Sequence, residues 1–273
     1  MLISVSGKIN SGKDTIGQII KIILDNPHLN NEGILNFMKK EVYNNEESPY
    51  YSSWQIKKFA DKLKDIVCLL LGCTREQLED REFKEKELGE EWWKYKYWNG
   101  NDYSICNYLD YQERFHINNE SNITTPILIK MTPRLLLQLL GTECGRNIIH
   151  PNLWVLALMA DYKATTQTRN SIGGWDDTDF PNWIITDTRF PNELKAVKDR
   201  EGITIRVNRN PENKWIDKQE WDLHTKGIVP HESETALDNA EFDYTITNDG
   251  SIKDLINKVK QILEIINKNN EIF

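Results

Sequence analysis

Near its start the chain carries glycines, a lysine and a carboxylate at spacings suited to phosphate chemistry. Gly7-Lys8-Ile9-Asn10-Ser11-Gly12-Lys13 fits the pattern G-x-x-x-x-G-K. Its glycines let backbone N–H groups wrap a phosphate, and Lys13 sets a positive charge against the group in transfer. The pattern usually continues with Ser or Thr to hold Mg²⁺, whereas this chain has Asp14 and then Thr15. A carboxylate there could bind the ion directly, bind it through water, or cap a helix. A ligand-free glycine turn is the bland alternative. A strand before the loop and a helix after it favour a nucleoside triphosphate site.

A second cluster, Ile184-Ile185-Thr186-Asp187-Thr188-Arg189, ends an apolar run on an acid and an arginine. Four functions fit a phosphate loop: a small-molecule kinase, a GTPase switch, a mechanical ATPase, and a module that only binds nucleotide. The guanine motif N-K-x-D is absent, and a mechanical ATPase usually places two acids at this strand end. One acid with one arginine suits a ligand that is itself phosphorylated. That points to a kinase whose acceptor carries a phosphate.

These residues need a scaffold, and the hydrophobic pattern supplies one. Leu2 to Ser6 reads as a buried strand, and Ile16, Ile19, Ile20 and Ile23 follow helical spacing. Residues 26–53 read as loop with one helix, and Trp54 to Leu71 as a helix closed by Gly72. Thr74 to Gln77 forms a capping box opening a helix to about Leu88. Thr132-Pro133 starts a helix through Leu140, and Leu153 to about Thr165 another. Residues 167–181 read as a polar loop. Trp183 to Thr186, Gly202 to Val207 and Phe242 to Thr247 are strands, with helices at about Pro191 to Asp199 and behind Ser251. Strands alternating with helices predict an α/β fold: a P-loop NTPase-type three-layer sandwich with a mainly parallel central sheet flanked by helices. No linker or repeat divides the 273 residues, so one domain is expected. It holds a helical insertion over about 54–165, which includes an aromatic-rich insert at 89–125 with no clear period. A lid is expected over about 209–235.

Composition narrows the partners. Lys and Arg number 34 against 42 Asp and Glu, a net charge of −8, with no basic block, which argues against polymeric nucleic acid. The longest apolar run, Leu153 to Ala160, is too short to cross a bilayer, and MLISVSGKIN lacks signal-peptide character. A cytoplasmic protein is expected, and a homodimer is allowed. Cys68, Cys73, Cys106 and Cys144 are scattered without zinc spacing and read as free thiols.

In four blocks the chain resembles the bacteriophage deoxynucleoside monophosphate kinases: SGKINSGKDT (6–15), KFADKLK (58–64), TPRLLLQLLGTECGRNIIHPNLW (132–154) and IITDTRFPNE (184–193). A fifth, HESETAL (231–237), is similar. The S-G-K-D-T loop is usual in that family, which turns Asp14 from a departure into support. The resemblance implies transfer of the γ-phosphate of ATP to deoxynucleoside monophosphates, with Mg²⁺. It implies ATP on Gly7, Ser11, Gly12, Lys13, Asp14 and Thr15, with Asp14 and Thr15 toward the metal. The acceptor is implied near Arg134, Gln138, Gly141, Thr142, Arg146 and Trp154, and near Asp187, Arg189 and Glu193. Among Lys58, Lys62 and Lys64, some of them solvated surface residues, Lys64 is the one expected to touch the acceptor. Lys13, Asp14, Asp187 and Arg189 form the expected catalytic set.

Arginines would fork onto the acceptor phosphate, Gln138 would read a base edge, and Trp154 would stack. Plain alternatives stand beside these: Arg134 as a surface residue, Trp154 as core, and Asp187 or Glu193 as helix-start acids. Arg206 and Arg209 could reach phosphates from the 210–230 segment. His231, Glu232 and Glu234 read as a capping segment near the site, with no firm role. Kinases of other phosphorylated metabolites share the loop and strand-end pattern and are the runner-up, followed by a non-catalytic nucleotide-binding module.

Overall fold

The structure is a computed structural model that describes residues 1–44, 53–98, 103–110, 127–169, 175–209 and 232–270. In chain order its elements begin with β1 (Leu2–Gly7), α1 (Lys13–Asp25), α2 (Asn31–Asn44), β2 (Trp54–Lys57) and α3 (Asp61–Leu71). Next come α4 (Arg75–Glu79), α5 (Arg81–Glu85), a 3₁₀ turn (Glu90–Trp92), β3 (Lys94–Trp98), β4 (Tyr103–Asn107) and β5 (Ile127–Ile129). Helix α6 (Pro133–Gln138) runs into a π-helical segment (Leu139–Ile149), followed by α7 (Leu153–Met159), β6 (Thr166–Arg169) and β7 (Trp175–Thr178). The chain continues through β8 (Asn182–Thr188), α8 (Pro191–Lys198), β9 (Ile203–Asn208), α9 (Glu232–Thr235), β10 (Tyr244–Thr247) and α10 (Ile252–Asn270). Two compact units result: Met1–Phe59 with Val155–Phe273, and Ala60–Trp154.

The first unit is built on a five-stranded sheet of order β10-β9-β1-β8-β2, and every neighbouring pair is parallel. β1 lies at its centre and is buried along its whole length, as a strand covered by helices on both faces must be. Alternation splits its side chains between two cores. Ile3 and Val5, with Ile184 and Ile205, meet Ile16, Ile19 and Ile20 of α1 and Leu255, Ile256 and Val259 of α10. Leu2, Trp183 and Ile185 meet Ala196 and Val197 of α8 and Leu158 of α7 on the other face. The outcome is the expected α/β sandwich. Ser4 and Thr188 stay buried because their hydroxyls pair at 2.6 Å across β1 and β8.

In the second unit, Leu63, Val67, Leu78, Met131, Leu136 and Trp154 form a core of their own. β4, β3 and β5 make an antiparallel sheet in that order. Trp93 packs edge-on to Tyr108 with centroids 5.6 Å apart and donates Nε1–H to the Leu88 carbonyl at 2.8 Å. The described part of the aromatic insert is therefore packed sheet, where no period was legible.

Several boundaries differ from the sequence expectation. Trp54–Lys57 is an edge strand in register with β8, and the helix begins only at Asp61, because Trp54 and Ile56 alternate with Gln55 in burial. Gly72 does end α3, with φ +64°. The helix capped by Thr74 stops at Glu79, since Asp80 turns extended and caps a second short helix through the Phe83 N–H at 2.7 Å. α7 ends at Met159, and β6 pairs with β7 in the region read as loop. Apart from Trp175 the two strands are polar in sequence, so no alternating apolar pattern marks them. Residues 210–231, most of the expected lid and including His231, lie outside the described residues. Among the described residues no helix is long and apolar enough to cross a membrane.

Candidate active site

The loop between β1 and α1 is shaped by two residues in left-handed conformation, Asn10 (φ +59°) and Gly12 (φ +94°). Only glycine suits position 12 on both counts, since a Cβ there would overlap the amide nitrogen of Asn248. That amide donates to the Ser11 carbonyl at 2.9 Å, while the Asn248 backbone N–H extends the sheet by bonding the Asn208 carbonyl at 2.7 Å. Arg209 holds the Asn10 carbonyl at 2.9 Å. Ser11 is buried, and its hydroxyl has no partner among the described residues.

Lys13 opens α1 and is only 7% exposed, with Nζ donating to the Lys8 carbonyl at 3.1 Å. Burial first, and then the Arg189 charge, push its pKa down, while Asp14, Glu234 and Asp187 push it back up. An ammonium so poorly solvated and so close to another cation favours an incoming anion. Asp14 is 61% exposed and takes two partners on Oδ1, Lys58 Nζ at 2.9 Å and the Thr186 hydroxyl at 2.9 Å. Burial pushes its carboxyl up, but Lys58, Thr186 and Lys13 together outweigh this and hold it below the usual carboxylate range.

At the end of β8, Asp187 Oδ1 accepts the Phe59 backbone N–H at 2.7 Å. Arg189 pairs with Glu234 and reaches Ser233 Oγ at 3.4 Å. Glu193 is 2% exposed, and its Oε2 accepts the N–H groups of Arg189 (2.7 Å) and Phe190 (3.1 Å). Glu193 thus shapes the turn that carries Arg189. The first unit therefore brings together the loop residues Gly7 to Thr15 with Asp187 and Arg189. Three neighbours went unassigned in the sequence reading. Lys58, which the sequence left among the lysines of the KFADKLK block, pairs with Asp14. Glu234 was marked only by its place in the HESETAL block, and Asn248 only by following the last strand. Arg206 bonds Ser6 Oγ at 3.0 Å and Asp238 at 3.2 Å.

The second unit holds the other expected acceptor residues. Arg134, Gln138, Thr142 and Arg146 recur every four residues through α6 and the π-helical segment, which keeps them near one face. Arg134 pairs with Glu85, and Lys64 with Glu79. Gln138 and Thr142 are half-buried. Trp154 is 6% exposed and donates Nε1–H to the Gly141 carbonyl at 2.7 Å. It packs within the core of that unit.

Residues 1–259 match the family model described as deoxynucleotide monophosphate kinase. The chain belongs to this family. It is accordingly a phosphotransferase that phosphorylates deoxynucleoside monophosphates. Among its relatives, the deoxynucleoside-5′-monophosphate kinase of Escherichia phage T5 is 28% identical over 217 residues, covering 73% of this chain and 72% of that protein. The deoxynucleotide monophosphate kinase of Escherichia phage RB69 is 29% identical over 130 residues, 48% of this chain and 44% of that protein. That of Enterobacteria phage T4 is 29% identical over 149 residues, 55% of this chain and 52% of that protein.

Proposed function

We propose that ATP binds the Gly7–Thr15 loop and passes its γ-phosphoryl group in line to a phosphate oxygen of a deoxynucleoside 5′-monophosphate. The bond from the γ-phosphorus to the β–γ bridging oxygen breaks as the acceptor oxygen bonds to that phosphorus, leaving ADP and a deoxynucleoside diphosphate. The observation that carries this reading is the buried Lys13 ammonium, flanked by Asp187 and Arg189 at the end of the strand beside the loop. Lys13 and Arg189 neutralise charge spread over the transferring oxygens, and the loop N–H groups fix the donor. Acceptor recognition is assigned to Lys64, Arg134, Gln138, Gly141, Thr142 and Arg146 of the second unit and, separately, to Asp187, Arg189 and Glu193 of the first. A phosphorylated ligand arriving at Arg134 or Lys64 would exchange partners with Glu85 or Glu79. Trp154 supports this set from the core.

Asp14 and Thr15 fit a magnesium ion as oxygen donors. The described residues hold no cluster of three or more His, Cys, Asp or Glu that could bind a metal, and nucleotide-bound magnesium takes most of its ligands from phosphates and waters. Lys58 and Thr186 both bond Oδ1 of Asp14, and the carboxylate would meet the ion directly or through water. When bound, the ion would offset charge on the phosphate groups. Action in the host cytoplasm and a homodimeric state belong to the same proposal.

The test is ADP formation from ATP and Mg²⁺ with dGMP, dTMP, dCMP, dAMP, GMP and UMP offered singly. Turnover that depends on deoxynucleotides and falls at least about 100-fold in Lys13→Ala is expected. Unchanged turnover in Lys13→Ala would refute the assignment. ATP binding without any acceptor response would return the question to another metabolite or to a binding module.

A further inference from the structure

Glu234 stands 225 residues from Ile9 in the chain, yet its Oε2 accepts the Ile9 backbone N–H of the phosphate loop at 2.9 Å. Its other oxygen, Oε1, pairs with the Arg189 guanidinium. One carboxylate thus joins the loop that would hold the donor to the arginine that would meet the transferring phosphoryl group. Both side chains are partly withdrawn from water, Arg189 to 29% and Glu234 to 23% exposure, so the pair is less screened than a surface bridge.

We propose that Glu234 is a positioning residue that aims Arg189 at the phosphate site before substrate arrives. The inference rests on the reading of Arg189 as a charge-neutralising group. Three observations carry it beyond an ordinary ion pair. First, the anchor is a backbone N–H of the loop itself, so the arginine is referenced to the element that would hold the donor phosphates. Second, Arg189 is gripped from its own side as well, because Glu193 Oε2 takes its backbone N–H at 2.7 Å. Third, Arg189 disfavours the charge on Lys13, and Glu234 offsets that repulsion. A long arginine side chain has many rotamers, and fixing it beforehand removes that ordering cost from the reaction step. Charge stabilisation by groups that need no rearrangement is the most effective kind.

Full-length wild type, Glu234→Gln, Arg189→Ala and the double variant would be compared by kcat and KM for ATP and for the accepted monophosphate. Melting curves would accompany them. Glu234→Gln should lower kcat about tenfold while KM for ATP changes less than about threefold, the pattern of a contact realised in the transition state. In the Arg189→Ala background the same change should cost less than about twofold, because the two residues act as one unit. Glu234→Asp, which keeps the charge on a shorter arm, should recover part of the loss, and it replaces Gln in the cycle if Gln prevents folding. Wild-type kcat in Glu234→Gln, or equal losses with and without Arg189, would overturn the inference. An inactive wild type would instead overturn the functional reading beneath it, whereas an active wild type with independent losses sinks this inference alone.

Discussion

Replacing Gly12 by alanine tests the loop geometry most directly. Position 12 has φ +94°, where an L-residue costs about 1–2 kcal/mol. The new Cβ would also displace the Asn248 amide, whose bond to the Ser11 carbonyl spans 2.9 Å. Losing that hydrogen bond adds about 1 kcal/mol, for a total of about 2–3 kcal/mol. Gly72 supplies the internal control, since its φ is +64° but nothing lies within 4 Å of a Cβ built there. Gly72→Ala should therefore cost only the backbone part, about 1–2 kcal/mol. Urea unfolding reads both, and at about 2 kcal/mol per molar the midpoint should fall by about 1–1.5 M for Gly12→Ala. Adding Asn248→Ala should make the two changes less than additive, because either one breaks the same bond. KM for ATP should rise in Gly12→Ala and stay unchanged in Gly72→Ala. If Gly12→Ala cost no more than Gly72→Ala, or added fully to Asn248→Ala, the matching of Gly12 to Asn248 would be wrong.

Two further outcomes can be checked. Burial pushes the Glu79 carboxyl up, but Lys64 and Lys84 overcome this and set it at about 2, against an ordinary 4.5. Its folded pKa lies below its unfolded one, so the stabilisation is complete above about 4.5 and is lost as pH falls toward 2. Glu79→Gln should therefore differ from wild type in urea midpoint at neutral pH, with the gap closing through that window; a gap constant with pH would refute the ion-pair account. Trp154→Phe keeps much of the buried ring but leaves the Gly141 carbonyl without its 2.7 Å donor, at about 1–3 kcal/mol. It should lower the midpoint while KM for the monophosphate stays near wild type; a selective rise in that KM would restore a stacking role.

Much of the site was legible because its signals are local. The G-x-x-x-x-G-K run, the single acid and arginine after an apolar strand, and the helical spacing of Ile16, Ile19 and Ile20 each declare themselves within a dozen residues. The same holds for the Thr74 capping box and the Gly72 helix end, where side-chain and backbone groups a few positions apart satisfy each other. Local signals failed where partners are distant or polar. Trp54–Lys57 looked like the start of a helix because only pairing with β8 reveals its strand period. Of the three strands between Lys94 and Ile129, β3 does alternate as Lys94-Tyr95-Lys96-Tyr97, but the run is short and set among clustered aromatics, and β5 is only three residues long.

By itself, then, the sequence determined the phosphate loop, the strand-end acid and arginine, the α/β class and the family resemblance. These rest on short-range spacing and on which residues must avoid water. Only the tertiary structure decided which lysine pairs with Asp14, that Trp154 lies in a core, and that Asn248 and Glu234 close on the loop from 237 and 225 residues away. The contacts of Lys58, Asn248 and Glu234 satisfy polar groups at the sheet's carboxyl edge, and no periodicity along the chain records a partner met only after the strands have assembled.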